Sequence, residues 1–210
     1  VNMILGNLIP IFYTPIMLSL LGQSEYGLYK LASSVTSYLS LISMGLGSAI
    51  TRYLIKSREE EGKEAEERMF GLFDVIFNGI AVATLIVGTL LTIGLPLWYA
   101  KSLTAAELSR MQLLVFMMVI NMALNFSQSP YLSVVNAHEK FVFLLCTNII
   151  QTCGVPCLNL VALFMGMGSI GMTIAAMGAS ILTRIAYQIY VRHKMQIKPR
   201  MKNLPTNKMK

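Results

Sequence analysis

Asn121, Asn125 and Gln128 stand at i, i+4 and i+7 in an otherwise apolar stretch, with Ser129 and Pro130 just after them. On a helix that spacing places three hydrogen-bonding side chains on one face. Asn148, Thr152 and Asn159 fall roughly on one face of the next apolar stretch, with Gln151 near the edge and Pro156 between. Polar faces of this kind either bond helix to helix or line a wet cavity. Three ionisable groups accompany them: Asp74, Arg52 and Arg184. Two cations at a cavity mouth would attract a phosphate or an acidic sugar. The carboxylate would balance them, or exchange a proton or a sodium ion. Each also has a plainer reading. Arg184 lies seven residues before a helix exit near Val191, about 10 Å of rise, which an arginine can snorkel. Arg52 can anchor the inner end of a span. Asp74 can complement a helix N-terminus.

Other chemistry is scarce. Cys146, Cys153 and Cys157 share one apolar stretch, which is neither a disulfide framework nor a zinc spacing. His138 and His193 have no ligand set around them, so no metal and no cofactor is expected. An enzyme at the membrane interface would need converging carboxylates or histidines. Glu25 and Glu107 stand alone on one side, and His138 and Glu139 are adjacent and face apart on a helix. The expectation is a protein without catalytic activity.

Composition dictates the elements that carry these residues. Of 210 residues, 55% are hydrophobic and only 13% are charged, against about 25% in soluble domains. Charges cluster, and stretches of about 20 residues lack them, as in a multi-span membrane protein. The predicted fold is all-α, because continuous apolar runs of this length suit helices and lack the alternation of a β-barrel. Six spans are expected, at about 2–21, 28–51, 71–99, 109–136, 141–165 and 170–191. The polar passage LLGQSEYGLYKL, residues 20–31, is then a tight turn between antiparallel neighbours. Gly22 can end the first helix, Ser24 can cap the second, and Glu25 can favour that helix's dipole. Span two carries a stripe of Ser33, Ser37, Ser40, Ser48 and Thr51, read mainly as close helix packing.

Lysine and arginine mark the cytoplasmic side. Thirteen of them fall after span two, after span four and in the tail, against Lys30, Lys101 and Arg110 opposite. Both termini are therefore expected in the cytoplasm. The net charge of +7 follows from this bias and is no sign of nucleic-acid binding. Residues 56–68 read as a solvated linker helix with pairs Glu59–Lys63 and Glu64–Arg68. Residues 192–210 read as a disordered basic tail or linker that can lie against anionic membrane lipids. Val1 already heads span one, and no signal peptide precedes it, so a piece of a longer protein is expected.

These residues also carry a resemblance. The stretch TPIMLSLLGQSEYGLYKLASSVTSYLSLISMGLGSAITRYLIK is similar to the first hairpin of polysaccharide exporters and lipid-linked oligosaccharide flippases, O-antigen flippases among them. These belong to the multidrug/oligosaccharidyl-lipid/polysaccharide exporter superfamily. The shared features are Leu21-Gly22, Glu25-Tyr26-Gly27, Tyr29, Gly45, Gly47, Ala49, Ile50 and Arg52. SPYLSVVNAHEKF, at 129–141, is similar to the family's span-four exit. The resemblance covers residues 5–56 best and extends more weakly to about 191. It implies one lobe, the N-terminal one, of a two-lobe transporter that lacks its C-terminal lobe here. It further implies export of an undecaprenyl-linked or similar glycan across the inner membrane, with Arg52 carried over by motif position. Within the same superfamily a multidrug or cation antiporter would want carboxylates deep in the spans, and only Asp74 is available. A non-catalytic structural subunit is the remaining alternative.

Overall fold

The computed structural model describes residues 2–40 and 46–200. Among them every regular element is helical. Helix α1 runs Asn2–Ser40, α2 Leu46–Glu61, α3 Lys63–Tyr99 and α4 Ala105–Ala137. The next span is composite: α5, Phe141–Ile149, leads through a π turn, Ile150–Gly154, into α6, Val155–Phe164. Helix α7, Gly168–Ile189, ends in a second π turn, Tyr190–Lys194. Four units are long and apolar enough to cross a membrane: Lys63–Tyr99, Ala105–Ala137, Phe141–Phe164 and Gly168–Lys194. The spans expected at 2–21 and 28–51 fall on α1 and the start of α2, across residues 41–45, which lie outside the described residues.

Helix α1 is two arms. Gly22 breaks it with φ 76° and ψ 166°, a conformation essentially confined to glycine. The arms fold back on each other. Tyr13, Met17 and Leu21 of the first arm and Tyr26 and Tyr29 of the second gather round Leu163 and Met172. Tyr13 and Tyr29 would stand about 24 Å apart along an unbroken helix.

The expected linker helix at 56–68 is instead two helix ends. Gly62, at φ 82°, separates α2 from α3. That break parts Glu59 from Lys63, so the pairs formed are Lys56–Glu60 at 3.8 Å and Arg68–Glu64 at 3.4 Å. Pro130 sits inside an uninterrupted α4. The irregularity appears before Pro156. Its ring lacks an N–H and would clash with the carbonyl four residues back, and the wider π turn just upstream absorbs both problems.

Two apolar clusters tie the bundle together at its ends. One joins Ile50, Leu54, Phe70, Tyr131, Val134, Tyr187 and Val191 at the end rich in lysine and arginine. The other joins Leu28, Ala32, Leu95, Met111, Leu114 and Val119 at the far end. Each end also has a polar staple. At the basic end the His138 Nε2–H donates to Glu66 Oε1 at 2.7 Å, and Glu66 is 1% exposed. At the far end the Glu25 carboxylate receives the Ser169 backbone N–H at 2.8 Å and its hydroxyl at 2.7 Å. The Arg110 guanidinium reaches its other oxygen at 3.1 Å. Ser24 donates to Glu107, which with Thr104 forms a capping box at the start of α4. So Glu25 caps α7 rather than serving its own helix.

The segment after α7 departs from the expected disordered tail. Through Arg200 it is packed on the start of α3, with Ile197 in the apolar cluster of the basic end. Ile197 supplies the buried apolar anchor for an otherwise basic stretch. Residues 201–210 lie outside the described residues.

Candidate functional site

Helix α4 presents Asn121, Asn125 and Gln128 over about 10 Å of rise. Facing them are Asn148 from α5, Gln151 from the π turn, and Thr183 from α7. Together these line a groove of about 390 Å³. The groove is ordered by its own bonds. Gln151 Nε2–H donates to Thr183 Oγ1, and the Thr147 and Tyr187 hydroxyls bond at 2.9 Å. Asn125 Nδ2–H donates to the Asn121 carbonyl at 3.0 Å.

A second recess of about 310 Å³ continues from the first. Asn121, Asn125 and Ala176 line both. Its opposite wall is the second arm of α1, which contributes Tyr29, Ser33, Thr36 and Ser37. Ser33 and Ser37, two of the stripe read from the sequence mainly as packing residues, therefore line open space. Asn121 Oδ1, at the junction, is buried and has no hydrogen-bond partner among the described residues. A buried unpaired acceptor costs about 1–3 kcal/mol. Among the described residues, Asn121 is the one groove-lining residue with a buried polar side-chain atom that lacks a partner.

The charged residues lie elsewhere. Arg184 lines a separate recess of about 200 Å³ with Asn78, Ser127 and the apolar Val82, Leu85 and Leu124. Asp74 is buried next to it on α3, within electrostatic reach of Arg184 and Arg192. Asn78 Nδ2–H donates to the Asp74 carbonyl at 2.8 Å, and Ser127 donates to Asn78 Oδ1. Ser127 and Leu124 sit on α4 between positions of the amide stripe, so they face a different neighbour from Asn121, Asn125 and Gln128. Arg52 is on the exposed side of α2 and lines none of these recesses. The arrangement is thus two polar sites, one neutral and one charged, instead of a single shared cavity.

Asn121, Asn125, Gln128 and Asn148 are brought together, and Asp74 and Arg184 are brought together. Asn159 is buried in α6 outside the groove. Thr183, Ser180 and Tyr187 of α7 complete the lining and were not singled out in the sequence. Their spacing of three and four residues is a signal, but threonine, serine and tyrosine in a span are too common to select on it.

Comparison with known proteins decides the family. A family model described as polysaccharide biosynthesis protein matches residues 1–210. The chain belongs to that family. Comparisons with curated proteins and with solved structures give no match. A multi-pass membrane protein of polysaccharide biosynthesis is consistent with the four apolar helices. In this family member the side chains lining the polar groove are amides, hydroxyls and apolar groups, with no charged residue among them.

Proposed function

We propose that this polysaccharide biosynthesis protein forms one wall of the path by which a lipid-linked oligosaccharide crosses from the cytoplasmic to the outer leaflet. The observation that carries the reading is the buried, unpartnered Asn121 Oδ1 at the meeting point of two polar recesses. A carboxamide offers two donors and an acceptor, and a hydroxyl offers one donor and accepts. A surface made of these, with Tyr29 and Tyr187 at its margins, matches the alternating donors and acceptors of a sugar chain. A neutral lining holds such a chain without the tight charge pairing that would prevent its release.

By the same reading the six spans are the N-terminal lobe of a two-lobe exporter in the inner membrane, with both termini in the cytoplasm. The second lobe would close the groove, and alternating access would open it to each side in turn. Asp74 and Arg184 would couple this motion to a proton or sodium ion from their separate cluster. Arg52 would serve as a cation of the basic end. A drug or cation antiporter is less well supported, since no carboxylate among the described residues lines either recess.

The test uses cells that depend on the gene carrying this sequence for surface glycan. Asn121→Ala combined with Asn125→Ala and Asn148→Ala should lower surface glycan at least about tenfold, a barrier change of about 1.4 kcal/mol. The lipid-linked precursor should accumulate while membrane levels of the protein hold. Full export by the triple variant would remove the groove from the mechanism. Arg52→Ala should leave export intact.

A further inference from the structure

The segment after α7 is held in place by four features. The Ile197 N–H donates to the Val191 carbonyl at 3.2 Å, which turns the chain back on itself. Ile197 is then buried at 1% exposure beside Val191. The Arg200 N–H donates to the Glu67 carbonyl at 3.1 Å. Finally, the Arg200 carbonyl passes so close to Gly71 of α3 that a Cβ there would stand 2.2 Å from it. Only a residue without a side chain leaves this slot open.

Between the segment and α3 is a basin of about 690 Å³, lined by Glu67, Arg192, His193, Gln196, Lys198 and Arg200 among others. Its cations are not equivalent. Arg200 is matched, with Nη1 at 3.4 Å from Glu64 and Nε at 3.5 Å from Glu67. Arg192 donates one N–H to the Tyr131 hydroxyl at 3.4 Å, a neutral partner that orients the guanidinium. Asp74 acts on Arg192 at a distance, but no ion pair joins them among the described residues. Lys198 likewise has no side-chain partner among the described residues; its backbone N–H points to Glu67 Oε1 at 3.5 Å. The basin therefore holds one planar fork and one point charge whose charges no contacting carboxylate cancels. It lies where an apolar helix exits, beside Tyr190, a residue type suited to the boundary between lipid and water.

We propose that this basin binds a phosphoryl group, with Arg192 as the forked donor and Lys198 as the second cation. The site is separate from the amide groove, so its failure would leave the export reading untouched, and the converse also holds. The phosphoryl group has two sources, a lipid headgroup reached from the membrane surface or a soluble phosphate reached from the water. The same two cations serve either.

The experiment follows thermal unfolding of the full chain in neutral detergent micelles. The probes are sodium pyrophosphate, a short-chain phosphatidic acid and sodium chloride at matched ionic strength. At least one phosphorylated probe should raise the midpoint beyond the chloride control. A rise with pyrophosphate shows that soluble phosphate suffices, and a rise with phosphatidic acid alone assigns the site to a headgroup. Arg192→Gln with Lys198→Gln should abolish the extra rise. Gly71→Val, which alters no charge, should abolish it too by expelling Arg200 from its slot. If Gly71→Val fails to fold, the double variant decides. Shifts equal to chloride, or an extra shift kept by the double variant, would overturn the site.

Discussion

At the scale of single residues, Glu25 shows how much one carboxylate can connect. One oxygen accepts both the N–H and the hydroxyl of Ser169, and the other meets Arg110. It is the cap of a helix that begins 143 residues later in the chain. Capping rules look only within a turn, so they assign Glu25 to its own helix. The true partner becomes visible only when the α1 turn, α4 and α7 meet. Glu66 and His138 are hidden in the same way, since each looks like an ordinary polar residue of a helix end until the two are paired. Hydrogen bonds to a charged group are worth about 1.5–3 kcal/mol each, and Glu25 is only partly exposed. Glu25→Gln should therefore lower stability by about 1–3 kcal/mol, read as an earlier midpoint of unfolding in sodium dodecyl sulfate. Gly168→Ala should do similar damage. Its φ is 61°, and the new Cβ would stand 2.5 Å from the same Glu25 oxygen. The double variant should lose less than the sum, because both changes break one contact. Additive losses would mean that the two residues act independently.

At the scale of elements, the long helices and the break at Gly22 were legible, and the π turn was not. Span four was expected at 109–136 and runs Ala105–Ala137; span five was expected at 141–165 and ends at Phe164. Apolar runs are long and set by local composition, so they survive without knowledge of neighbours. The π turn at Ile150–Gly154 has no composition of its own. Pro156 announces a disturbance, and only packing decides whether it becomes a kink or a widened turn. The choice matters because the turn carries Gln151 to Thr183. Pro156→Ala restores an N–H and removes the ring clash, so the turn should relax toward α-helix. One residue of register is a rotation of about 100°, enough to carry Gln151 off the groove. With the native cysteines replaced by alanine, Gln151→Cys and Thr183→Cys should join readily through a short bis-methanethiosulfonate linker. Adding Pro156→Ala should cut that yield severalfold. An unchanged yield would mean that packing alone holds the π turn.

At the scale of the whole molecule, charge and polarity are sorted along different axes. The amide groove runs along the bundle, between α1, α4, the composite span and α7. Asp74 and Arg184 apart, fixed charge gathers at the ends, with Glu25, Arg110 and Lys101 at one and the α2–α3 junction, Lys140 and the docked segment at the other. An uneven distribution of lysine and arginine orients a membrane protein as it inserts. The basic end should therefore face the cytoplasm, and the phosphoryl basin with it. Single cysteines at two exposed positions settle the matter: Lys101→Cys at the far end and Glu60→Cys at the basic end, each in a background with Cys146, Cys153 and Cys157 replaced by alanine. On spheroplasts a membrane-impermeant maleimide should label Lys101→Cys and spare Glu60→Cys, and permeabilised cells should show both labelled. The reverse pattern would place the basin outside the cell and turn the export direction of the groove around. That orientation would contradict the charge bias, and the direction proposed for the glycan would fall with it.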